Sequence, residues 1–141
     1  MRIFSYCAAL TMLVASQPGR ADVRIECPTR IFMDSGQVAL KDLPTGFVVS
    51  TPKSSFLLYS MTVYNGPPEK KSSMAPNLDV RSRDSGWKFE GDFPEGKWIS
   101  CDYAEGLIRL AKRLDEPTEQ CRGILEQKGN PKLPHGVFRC R

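Results

Sequence analysis

The chain has 141 residues, with 20 Lys and Arg against 16 Asp and Glu, a formal net charge of +4 and 40% hydrophobic residues. That suffices for one domain around one core. The basic excess is too small to point to nucleic acid, and no ladder of aromatic and basic residues of the single-strand-binding kind occurs.

At the amino end Arg2 precedes an apolar run from Ile3 to Ala15, and small residues follow at Ala15-Ser16 and Gly19-Arg20-Ala21. This is the charged, apolar and small-residue order of a secretory signal peptide, and the run is short for a bilayer crossing. Cleavage is expected after Ala21, with Ser16 the second choice. Cys7 lies inside the run and is not placed to carry a lipid. Export would leave a single soluble domain over 22–141, periplasmic or secreted, with no membrane insertion. It would also remove Cys7, Arg2 and Arg20, so four of five cysteines remain and the formal charge falls by two. An even count in an exported chain implies two disulfides, with three connectivities open.

Val23, Ile25 and Cys27 alternate with Arg24 and Glu26, and Pro28 closes this first strand, which Arg30 to Phe32 is a candidate to resume. A polar stretch at Asp34-Ser35-Gly36 leads to Val38–Leu43, a turn at Pro44-Thr45-Gly46, and Phe47-Val48-Val49. Ser55 to Tyr64 is the longest candidate strand and a good central one. Perfect alternation would put Leu57, Tyr59, Met61 and Val63 on one apolar face and Phe56, Leu58, Ser60, Thr62 and Tyr64 on a mixed one.

Asn65 to Pro76 holds turn formers, the adjacent Lys70 and Lys71, and almost nothing to bury. A plain mobile connector is the ordinary interpretation. Surface loops on rigid scaffolds also carry recognition, and Asn65, Glu69, Lys70, Lys71 and Met74 are the candidate binding residues. Leu78 and Val80 suggest a brief extended piece. Trp87 and Phe89 alternate around Lys88, and Gly91, Pro94 and Gly96 turn the chain toward Trp98. These three aromatics read as core anchors, which bury roughly 150–250 Å² each.

Trp98, Ile99, Cys101 and Tyr103 suit a half-buried strand, followed by a turn at Glu105-Gly106. Gly106 to Asp115 fits either of two templates. Leu107, Leu110, Ala111 and Leu114 recur at helical spacing, whereas a strand puts Ile108, Leu110, Lys112 and Leu114 on one face; the hairpin partner upstream favours the strand. Beyond Pro117, Cys121 to Gln127 and Val137 to Cys140 form a hairpin. A loop centred near Asn130 sets Cys121 opposite Cys140 and Ile124 opposite Val137. The pairing that follows is Cys121 with Cys140 and, by remainder, Cys27 with Cys101. Many short strands between Gly and Pro turns imply a mainly β chain, an antiparallel sheet folded as a sandwich or open barrel with at most one short helix.

Catalytic signals are sparse. His135, the one histidine, sits between Pro134 and Gly136 in the expected last loop and reads as an exposed residue. The four cysteines are too scattered for a zinc knuckle, and their oxidation removes them as ligands and nucleophiles. Glu90, Asp92 and Glu95 could be a glycosidase-like carboxylate set, though an acidic turn is the ordinary alternative. Neither a nucleophile elbow nor a phosphate-binding glycine loop occurs. No metal or cofactor is expected.

The order Cys27-Pro28, the Asn65-Gly66-Pro67-Pro68 loop with Pro76, the Trp87-Lys88-Phe89 step, Trp98 to Tyr103, a segment ending in Leu114, and Cys121 resembles a largely uncharacterised family of small exported, disulfide-containing proteins of Gram-negative bacteria. Its members commonly close the segment before the third cysteine with Leu-Pro, whereas this chain has Leu114-Asp115-Glu116-Pro117. The resemblance implies an exported β-rich domain and names no ligand.

The expectation is a non-enzymatic protein-binding module, such as an immunity protein or an inhibitor of a toxin or cell-wall hydrolase. Its partner would be another protein. The alternatives are a carbohydrate or peptidoglycan hydrolase using Glu90, Asp92 or Glu95, and a structural subunit of an envelope assembly.

Overall fold

A computed structural model of the chain describes residues 22–34, 45, 53–80 and 84–141. The expected signal segment, Val38–Leu43 and Phe47–Val49 lie outside them. Eight strands are present among the described residues: β1 (Val23–Cys27), β2 (Arg30–Met33), β3 (Ser54–Asn65), β4 (Ser85–Lys88), β5 (Lys97–Tyr103), β6 (Ile108–Arg113), β7 (Gln120–Lys128) and β8 (Leu133–Cys140). They make two four-stranded sheets, ordered β1-β8-β7-β4 and β2-β3-β5-β6, with every pairing antiparallel. The fold is mainly β, and among the described residues the helical pieces are two 3₁₀ turns, Pro68–Lys70 and Ala104–Gly106. Within Gly106 to Asp115 the chain is therefore strand over Ile108–Arg113: β6 pairs with β5 from Trp98↔Arg113 to Tyr103↔Ile108.

The sheets face each other across Leu58, Val63, Trp87, Ile99, Cys101, Tyr103 and Phe138, all buried. Two disulfides bind this interior. Cys27–Cys101 joins β1 of one sheet to β5 of the other, and Cys121–Cys140 crosses the β7–β8 hairpin at directly opposed positions. The same hairpin sets Ile124 opposite Val137. At one close approach of the sheets stands Gly136, where a Cβ would lie 2.6 Å from Leu58 Cδ2 and 2.9 Å from Met61 Sδ.

Several expectations are corrected. Arg30 to Phe32 does not resume the first strand. Pro28 has no N–H for the ladder, and the chain crosses there to the other sheet, where β2 pairs with β3. β3 is central, between β2 and β5, but its faces are not those of perfect alternation. Leu58 pairs with Tyr103 and Ser60 with Asp102, so Tyr59 is a bulge. An extra residue inverts side-chain parity. Phe56 and Leu58 face the core before the bulge and Met61 and Val63 after it, while Leu57 and Tyr59 are 41% and 60% exposed.

β8 begins at Leu133 rather than Val137, which puts His135 half-buried on a strand opposite Glu126 instead of in a loop. Pro134 is tolerated because β1 ends its pairing at Cys27↔Gly136, leaving one side of β8 without a ladder partner there among the described residues. Leu78 and Val80 form no strand. Instead the Asn77 and Leu78 N–H groups donate to Gly86 O beside β4. Of the three aromatics, Trp87 packs 6.2 Å from Phe138 in the core, and Phe89 stands edge-on to Phe93 at its border. Trp98 stays half-buried outside the core cluster, with its Nε1–H donating to Glu95 O at 3.0 Å.

Candidate functional site

The loop after β3 is no slack connector. Tyr64 and Ser73 form a bridge, the Asn65 N–H donates to Ser72 O at 3.0 Å, and the Met74 N–H donates to Val63 O at 2.8 Å. The tip between these contacts is the 3₁₀ turn, where Pro68 presets φ for the first position and Lys71 closes the turn at φ 58° with its N–H on Pro68 O. Gly66, at φ 89°, donates to Gly96 O at 2.8 Å, and a Cβ there would meet Glu95 Oε2 at 2.9 Å. The backbone conformation there favours glycine. Lys70 forms an ion pair with that same Glu95.

On the other flank, Met74 packs against the core and its carbonyl accepts the Trp87 Nε1–H at 3.0 Å. Trp87 belongs to β4 and Val63 to β3, so the loop is fastened to both sheets. It does bury residues, contrary to its polar composition: Gly66 and Pro68 are buried and Met74 is half-buried. Asn65, Glu69, Lys70 and Lys71 remain exposed around them.

Glu90 and Glu95 are each engaged by a different lysine. Glu90 is exposed and bonded to Lys88 at 2.7 Å, a contact that holds its carboxyl below the usual range and raises the lysine. Glu95 is held by Lys70, and Asp92 is exposed. Beside His135, Glu126 is drawn down chiefly by its hydrogen bond to Lys128. Among the described residues no group of three or more His, Cys, Asp and Glu could hold a metal ion.

Sequence order did not single out Asp102. It is 3% exposed on β5 and accepts hydroxyl hydrogen bonds from Ser100 at 2.5 Å, Thr62 at 2.6 Å and Ser60 at 3.1 Å, with Arg109 Nε at 3.9 Å. Ser60 faces Asp102 and Thr62 faces Ser100 across the β3–β5 ladder. Alternating polar residues on both strands are the signal, but they converge only once the register is known. Each hydroxyl spends its one proton on the carboxylate, so this is a satisfied buried charge that braces the sheet.

A second exposed feature is an open, mainly apolar groove of about 650 Å³ lined by Pro28, Ile31, Phe32, Met33, Ile108 and Leu110, with Arg30 as its one charged residue among those described. It lies between the edge strands β2 and β6, with Phe32 76% exposed. Exposed apolar surface of this kind marks contact sites in soluble domains.

The family model described as type VI secretion system Tli immunity protein matches residues 53–141, from the start of β3 to the final residue. No curated protein and no solved structure matches the chain. The matched stretch holds the fastened loop, the Asp102 network, Cys101 and the bridged β7–β8 hairpin. Because the match spans more than half of the sequence, the chain belongs to the type VI secretion system Tli immunity protein family.

Proposed function

We propose that residues 1–21 direct export and are removed, that the mature domain works in the periplasm, and that it neutralises a type VI toxin by binding it through the fastened loop. The family match carries the immunity role and implies a toxin as partner. Two disulfides support an oxidising compartment, and among the described residues no helix is long and apolar enough to cross a membrane. Asn65, Glu69, Lys70, Lys71 and Met74 form the contact surface in this proposal. A loop already held by both sheets loses little conformational entropy on docking, and its exposed lysines give it a charge signature for a partner to read.

Inhibition here is steric: the domain occupies the toxin and performs no reaction. The hydrolase alternative loses support because Glu90 and Glu95 are each tied to a different lysine.

The test starts from cells deleted for this chain and challenged by an attacking strain. The toxin is identified as the attacker gene whose loss restores survival, and its affinity for the oxidised mature domain is then measured. A stoichiometric complex is expected, weakened about tenfold or more by K70E/K71E with the unfolding midpoint unchanged. Unchanged affinity removes the loop from the interface, and absence of a complex with a folded domain removes direct binding.

A further inference from the structure

The outer face of the β1-β8-β7-β4 sheet carries a row of arginines that the loop contact does not use. Arg24 lies opposite Arg139, and Arg139 opposite Arg122, so three guanidinium-bearing positions follow one another across three strands. Like charges directly opposed in this way destabilise a sheet.

Within this sheet three basic strand residues are offset by an acid two positions along: Arg24 with Glu26, Lys88 with Glu90, Lys128 with Glu126. Arg122 and Arg139 break that habit. The positions two away from Arg122 are Gln120 and Ile124, and those two away from Arg139 are Val137 and Arg141. Arg141 is fixed in place by its backbone, its N–H donating to Gln120 O at 3.0 Å and its carbonyl accepting the Gln120 N–H at 3.0 Å. Arg122, Arg139, Arg141 and Gln120 line a surface cavity of about 220 Å³ together with Asp22 and Leu78, and Asp22 is the only acid among the described residues that line it.

We propose that this face is a second docking surface, taking an acidic segment of the toxin, with Arg122, Arg139 and Arg141 as forks for its carboxylates. The inference rests on the immunity reading above. Neighbouring strands lie about 4.8 Å apart, close to the roughly 5–6 Å between side chains one turn apart on a helix. An acidic helix face therefore presents carboxylates in step with the row. Guanidinium groups bind carboxylates bidentately and are the charged groups most enriched at interface hot spots.

The face is continuous with the loop. Leu78 follows Pro76 by two residues, and Asn77 brackets Lys88 through two hydrogen bonds, 3.0 Å to its carbonyl and 2.7 Å from its N–H. Nucleic acid is the poorer fit, because among the described residues no aromatic side chain lines the cavity to stack a base.

The probe is a fluorescent peptide of about eight glutamates, titrated against the oxidised mature domain and followed by anisotropy. Binding at low salt is expected to weaken when ionic strength rises to about 0.3 M. It should fall about tenfold or more in R122E/R139E, fall less in R122Q/R139Q, and stay near the parent value in K70E/K71E. Unfolding midpoints of the variants separate lost binding from lost fold.

Equal binding by parent and R122E/R139E overturns the proposal, as does no binding by the parent. So does tighter capture, through the same two arginines, of phosphatidylglycerol vesicles or a single-stranded oligonucleotide. In the challenge assay, protection lost in R122E/R139E but kept in K70E/K71E would sink the loop contact and leave this one standing; the converse would sink this one.

Discussion

Tyr103 donates its phenolic hydrogen bond to the backbone carbonyl of Pro28, 2.6 Å away across 75 positions of sequence. The tyrosine belongs to β5 and Pro28 marks the point where the chain leaves one sheet for the other. The Cys27–Cys101 bridge lies beside this contact, so a covalent bond and a hydrogen bond hold the same corner.

This corner responds to alkaline pH. Burial, and secondarily the negative charge of Asp102, push the Tyr103 hydroxyl above the ordinary 10.0. The folded state therefore holds its proton at a pH where the unfolded chain has lost it. The stabilisation is complete below pH 10 and is lost as pH rises from there through the folded value. Unfolding midpoints should fall over that window in the parent and fall less in Tyr103→Phe. Near neutral pH the same variant should be less stable by about 1 kcal/mol, from the lost hydrogen bond.

The two bridges differ in the loop that they close, with sequence separations of 74 and 19. In the chain-entropy model, losing the first costs about 4 kcal/mol and the second about 3 kcal/mol. Cys27→Ala/Cys101→Ala should accordingly have the lower urea midpoint of the two double variants. Mass spectrometry without reductant should find no free thiol in the mature domain.

Asp102→Ala would leave the hydroxyls of Ser60, Thr62 and Ser100 without their acceptor. A loss of about 1–3 kcal/mol is expected, read by thermal or urea unfolding. Affinity for the toxin per folded molecule should be unchanged, because the residue is buried.

At Gly136, alanine would force a methyl group against Leu58, Met61 and the Cys27 Cβ, the last at 3.3 Å. Overpacking of this sort costs about 1–3 kcal/mol. Gly91→Ala, with no atom within 4 Å of the added carbon, is the comparison: it carries backbone strain at φ 91° but no packing clash. A larger loss at position 136 than at 91 locates the close approach of the sheets.

What could be read from the sequence was what depends on near neighbours. The β7–β8 hairpin follows from its alternation and its Gly-Asn-Pro loop, and it brings Cys121 to Cys140 without further information. The strand at 108–113 was legible once β5 stood next to it. Features set by distant partners were hidden. The bulge at Tyr59 exists because of how β3 meets β5, and no turn residue announces it. Pro134 looked like a loop residue because the end of β1, a hundred-odd positions earlier, is what leaves one side of β8 without a ladder partner there among the described residues. For the loop at 65–76, its lysines were visible, but its fastening relies on Trp87, Glu95 and Gly96, all downstream.

Tyr59 also sets a rule for how this chain can vary. One surplus residue acts as a phase shifter, keeping Phe56 and Leu58 in step with Met61 and Val63 although they sit on opposite parities of the count. Deleting it would leave composition almost untouched, yet would turn Leu57 inward and lift two core side chains into water. Over this segment the number of residues is a tighter constraint than their identity, so insertions and deletions belong in the turns rather than in the rung-by-rung count of β3.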